Sequence, residues 1–147
     1  MKSMWADDRR QEIKDRVARV TPDRQPRWGR MSAPQMVCHL AESLRMTLGE
    51  LPVMRKRVPI RYPPLKQLIV YMAPFPKNMP TAPELLARAP RDWQADVTDL
   101  LALLDRLTPR GASGRWPEHP AFGPLSERAW GVLVYRHMDH HLKQFGV

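Results

Sequence analysis

The chain has 147 residues, 43% hydrophobic and 27% charged, which fits one soluble globular domain spanning 1–147. Its longest apolar run, Leu68 to Phe75, is eight residues and contains Pro74; a transmembrane helix needs about 20, so membrane insertion is excluded. A single cysteine, Cys38, excludes an intrachain disulfide framework and a multi-cysteine metal cluster, and a net charge of +9 raises nucleic acid or acidic small molecules as partners.

The opening MKSMWADDRR lacks the apolar centre of a secretory leader, so the expected compartment is the cytoplasm. Ile13, Val17 and Val20 repeat at i, i+4, i+7 and predict a first helix near 7–20, stopped by Pro22. A second begins at the N-cap Ser32, with Pro34 in its first turn, and runs to about Leu48 before Gly49. Its stripe is Met36, Val37, Leu40, Ala41, Leu44 and Leu48. Seven prolines between 49 and 80 forbid a long helix there. That segment reads as a crossover, with one short helix between Leu65 and Met72.

Thr81-Ala82-Pro83-Glu84 has the form of a capping box and predicts a third helix near 82–107, kinked or restarted at Pro90. Asp92, Asp96 and Asp99 fall off the centre of its stripe. A loop follows, and Ser126 caps a last helix near 126–145. No alternation or hairpin signal predicts strands. The expected fold is all-α: a four-helix bundle with a long proline-rich crossover between helices 2 and 3.

The positive excess is local. Residues 1–31 carry nine basic and five acidic side chains, and residues 49–81 carry six and one. No helix-turn-helix, zinc-finger or RNA-recognition pattern accompanies it. A solvated face, or a field that draws anionic small molecules, is the expected reading rather than nucleic-acid binding.

Three of the five histidines crowd into Arg136-His137-Met138-Asp139-His140-His141. At ~100° per residue His137 and His141 share the apolar stripe of Trp130, Val134 and Phe145, one turn apart, while His140 lies to the side. Two readings are open: a buried hydrogen-bonded pair, or two ligands of one metal ion. His39 on the second helix is the candidate third ligand, although periodicity sets it beside the stripe. His119, in a proline-flanked loop, reads as a turn or cap residue. Glu42 reads as a surface acid with Arg45 near, or as a group that orients a ligand or takes a proton. Cys38 reads as a small hydrophobe or a soft ligand. Asp139 reads as solvated, and Tyr135 and Arg136 point away from the stripe.

Two segments carry a resemblance. Trp28-Gly-Arg-Met-Ser-Ala-Pro-Gln-Met-Val-Cys-His39-Leu40 resembles the entry to helix 2 of the DinB-like, YfiT-like metalloenzyme superfamily. The tail His119-Pro-Ala-Phe-Gly-Pro-Leu-Ser126, continuing through Tyr135-Arg-His-Met-Asp-His-His-Leu-Lys-Gln-Phe-Gly146, is similar to an uncharacterised branch of it. The resemblance implies a divalent ion, zinc or nickel, held by His39, His137 and His141. It also implies a low-molecular-weight thiol as co-substrate of a transferase or isomerase, and a homodimer. It names no catalytic residue and no reaction. The alternative is a non-catalytic basic module that binds nucleic acid or an acidic partner.

Overall fold

A computed structural model describes residues 1–77, 80–112 and 114–147; residues 78 and 79 of the crossover lie outside it. It is all-helical, with five α-helices and no strand among the described residues. α1 is Asp7–Ala18, with Asp7 and Asp8 in its first turn, where acidic groups suit the helix dipole. It stops short of the expected 20, because Pro22 disfavours helical geometry at the residue before it.

α2 is Ala33–Leu48. Ser32 Oγ accepts from the Gln35 N–H while Gln35 Oε1 accepts from the Ser32 N–H, a reciprocal cap. At its far end Gly49 turns left-handed at φ 86° and donates to Met46 O, a conformation that favours glycine.

The crossover holds a 3-10 turn at Pro59–Arg61, a one-turn α3 at Leu65–Gln67 and a π-helical turn at Leu68–Met72. Its short helices leave carbonyls without intrahelical donors. Arg136 supplies them: one Nη donates to Ile69 O and Val70 O at 2.6 Å each, and the other to Ala73 O.

The expected third helix is shorter than 82–107. Pro83–Leu85 forms only a 3-10 turn, with no side-chain cap, and α4 is Trp93–Arg106, opened by Asp92 accepting from the Ala95 N–H at 2.9 Å. Pro90 disfavours helix at Ala89, so the chain stays irregular until Asp92 restarts the helix. Glu84 accepts from the Met54 N–H instead of closing a capping box. α5 is Glu127–Gln144, capped by Ser126 as expected.

α2 packs on α4 and α5, and α1 packs on the same two. They enclose Met36, Leu40, Leu44, Leu100, Leu104, Trp130, Met138 and Leu142. A smaller cluster of Val70, Phe122, Ala129 and Leu133 seats the crossover and the 116–125 loop against α5. Both irregular segments thereby pack against the first half of α5, ahead of the turns that carry the histidines.

Candidate metal centre

α2 and α5 bring His39, His137 and His141 together. One ring nitrogen from each can be chosen so that all lie within 4.8 Å of one another. His39 Nε2 lies 3.1 Å from His137 Nε2, and the His39–His141 and His137–His141 ring centroids are each 4.8 Å apart. Nitrogens bound to one tetrahedral zinc ion at about 2.0–2.1 Å would stand about 3.3 Å apart, so the closest pair is already at ligand spacing.

The outer nitrogens of two rings are held. His39 Nδ1–H donates to Leu85 O at 3.3 Å, and His141 Nδ1–H donates to Gln144 Oε1 at 2.8 Å. Gln144 cannot turn over freely, because its Nε2 donates to Trp28 O at 2.7 Å. Both rings therefore keep a bare Nε2, the form that binds a metal, with the partner that fixes the tautomer in place. Burial holds His39 at about 4 and His141 at about 3, the latter also opposed by His39, and pushes His137 well below 6.5. All three are uncharged at neutral pH. The residues present fit a divalent cation.

The imidazoles form part of the wall of a cavity of about 470 Å³. Ile69, Phe75, Leu85, Phe122 and Leu133 make most of it apolar. Lys56 and Arg30 line it too, and no Asp or Glu does among the described residues. Ser43 and Thr47 face it from α2, and each donates its proton to its own helix, to His39 O at 2.8 Å and Ser43 O at 2.9 Å.

A family model for a protein of unknown function, DUF1569, matches residues 9–146. The chain belongs to the DUF1569 family. No curated protein and no solved structure matches it. The DUF1569 match spans both segments that carry the histidines.

Within this DUF1569 chain the other candidates separate. His39, placed beside the stripe by periodicity, is 3% exposed, because the Pro83–Leu85 turn covers that flank. His140 lines the cavity, with its ring 5.7 Å from Trp28, outside the three-ligand cluster. Cys38 is buried, with Sγ 3.7 Å from Asp96 Oδ2, and burial raises its thiol pKa; it packs as a small buried group.

Glu42 is not a surface acid. It is buried and accepts from Arg45 Nη1 and Arg88 Nε, each at 2.8 Å. Asp96, 1% exposed, accepts from Arg88 Nη1 at 2.7 Å. Asp139 is likewise paired, accepting from Arg16 at 2.8 Å and Lys143 at 2.7 Å. Arg88 lies in the irregular segment between the 3-10 turn and α4, where no helical period could announce it. Replacing Arg88 by Ala leaves two buried carboxylates short of a cation and is expected to cost about 3 kcal/mol, read by urea denaturation at pH 7. A loss under ~0.5 kcal/mol would show that the network contributes little.

Ser43, Thr47 and Gln144 were not singled out from the sequence. A signal existed for each: 39, 43 and 47 follow at i, i+4, i+8, and Gln144 stands three residues after His141.

Proposed function

We propose that this chain is a metal-dependent enzyme of the DinB-like superfamily, its four long helices forming a bundle with a crossover after the second. The site it builds is for a divalent ion, zinc or nickel, held by His39, His137 and His141. The observation that carries this reading is the convergence of three neutral imidazoles on the wall of an apolar cavity. Three histidines with a position left open is the pattern of catalytic rather than structural zinc. An ion bound there supplies Lewis acidity towards a water, a thiol or a carbonyl.

The chain's own residues do the rest. Leu85 O and Gln144 aim two of the rings. Described residues of the crossover and of the 116–125 loop supply part of the cavity wall, among them Ile69, Phe75 and Phe122. Lys56 and Arg30 give it positive charge unopposed by carboxylates, which favours an anionic small molecule. The resemblance supports a low-molecular-weight thiol as co-substrate.

Cobalt(II) tests this reading, because its visible spectrum reports the ligand set. The wild-type chain is expected to take up one cobalt ion. Adding 2-mercaptoethanol should then produce a near-ultraviolet sulfur-to-cobalt band that is missing in His137→Ala. Cobalt uptake with a spectrum unmoved by thiol would remove the thiol from the account.

A further inference from the structure

We propose that His119 is a ligand-binding donor, whose Nε2–H holds a carboxylate oxygen of a small, otherwise apolar molecule in the cavity it shares with the three imidazoles. This rests on the reading of that cavity as the ligand site, and it does not depend on which ion is bound.

The argument starts from the tautomer. His119 Nδ1 lies 3.1 Å from the Ala121 backbone N and 3.2 Å from the Phe122 backbone N. Backbone N–H groups only donate, so Nδ1 can only accept, and the proton of the neutral ring must sit on Nε2. Burial and the nearby Arg61 charge lower the ring to about 3, which keeps this neutral form at physiological pH.

The ring is held on every side. His119 and Gly123 exchange backbone hydrogen bonds of 2.9 and 2.8 Å. The imidazole packs against Phe122 and Trp130, with centroids at 4.8 and 5.5 Å. Beneath the loop the buried Arg61 donates to Glu118 at 2.5 Å and to Pro120 O at 3.4 Å. A Cβ on Gly123 would stand 2.9 Å from the Arg61 Cζ. So much fixing orients one ring, yet Nε2–H finds no acceptor among the described residues, although His119 lines the cavity. A loop-capping histidine needs only Nδ1.

Two further lining residues, Trp28 and Trp130, carry buried indole N–H groups without an acceptor. These indole N–H groups and the His119 Nε2–H are donors left without acceptors, and unpaired buried donors are costly. With Lys56 and Arg30 in its wall and no carboxylate, the complementary ligand is an oxyanion on an apolar body. A carboxylate meets both demands; a neutral amide meets only the hydrogen bond.

Benzoate is the probe, titrated calorimetrically into zinc-loaded protein, with zinc stoichiometry measured in parallel. His119→Asn places Oδ1 where Nδ1 was, so it keeps the loop cap and removes the cavity donor. His119→Gln keeps a donor near the Nε2 position and removes the cap. Benzoate affinity should fall about tenfold in His119→Asn, the scale of one lost charge-assisted hydrogen bond. It should fall less than about threefold in His119→Gln, which should instead lose thermal stability. Benzamide should bind the wild type more weakly than benzoate. In nitrogen-15 spectra of the wild type, the Nε2–H of His119 should shift as benzoate is added, a readout that stands even if a variant fails to fold. Unchanged affinity in His119→Asn, a stationary Nε2–H signal, or no wild-type binding at about 10 mM benzoate would overturn the proposal. Zinc binding without the His119 effect defeats this inference alone, and the His119 effect without zinc binding defeats the metal reading alone.

Discussion

Zinc at about a thousandfold excess over its dissociation constant is expected to add about 4 kcal/mol to the stability of the wild-type chain. For a domain of this size that is a rise in Tm of roughly 8–16 °C. The gain arises because an ion that needs three converging nitrogens binds the folded state alone. His137→Ala should lose it, since the imidazole nearest to His39 Nε2 is gone. His39→Ala should lose it as well. His140→Ala should keep it, because His140 stands outside the cluster. This contrast separates a built site from adventitious binding by surface histidines. Differential scanning calorimetry with and without zinc reads all four proteins, and an undiminished gain in His137→Ala would contradict the assignment.

The metal-free protein, prepared with a chelator, should lose stability steeply as the pH drops from about 6.5 to 5. An unfolded histidine takes up its proton near 6.5. Folded His39 waits until about 4, and His119 and His141 until about 3. Between those limits the unfolded state binds more protons, so stability falls as the pH falls. At pH 5 each ring costs about 2 kcal/mol, or about 6 kcal/mol for the three. That is a large part of the ~5–15 kcal/mol typical of a domain. Glu12 acts lower down: the Arg9 hydrogen bond holds it at about 2, so its contribution is complete above the ordinary carboxylate range and is lost progressively as the pH falls from about 4.5 to about 2. The decline above pH 5 therefore belongs to the histidines. Urea denaturation at pH 7, 6 and 5 checks it, and a stability that stays flat across that range would contradict the burial of the rings.

Where a feature rests on neighbours in sequence, it was legible without the structure. Ser32, Gly49 and Ser126 punctuate α2 and α5 as expected because caps are local chemistry. The i, i+4 spacing of His137 and His141 reports a shared helix face for the same reason. What could not be read depends on distant cover. Leu85 comes from the crossover side of the chain to accept from His39, so periodicity along α2 alone left that ring at the margin. The start of the third helix was misplaced because Thr81 to Glu84 satisfies a local pattern, while Pro90 breaks the segment beyond it. Glu42 and Asp139 look solvated when judged on their own helices, and Asp96 falls off the centre of its stripe. Arg88 and Arg16 reach them from elsewhere in the chain and bring them into buried or half-buried pairs. His119 was legible as a cap, and the use of its second nitrogen was not, because the cavity exists only once α2, α5 and both irregular segments are assembled.

The most direct test of the three-histidine centre is X-ray absorption at the metal edge, together with metal analysis, on protein purified without an affinity tag. One divalent ion per chain is expected, with three imidazole nitrogens at about 2.0–2.1 Å if it is zinc, and with the imidazole signal lost in His137→Ala. Protein that takes up no stoichiometric metal, or an ion whose ligand shell is unchanged by His137→Ala, would contradict the account.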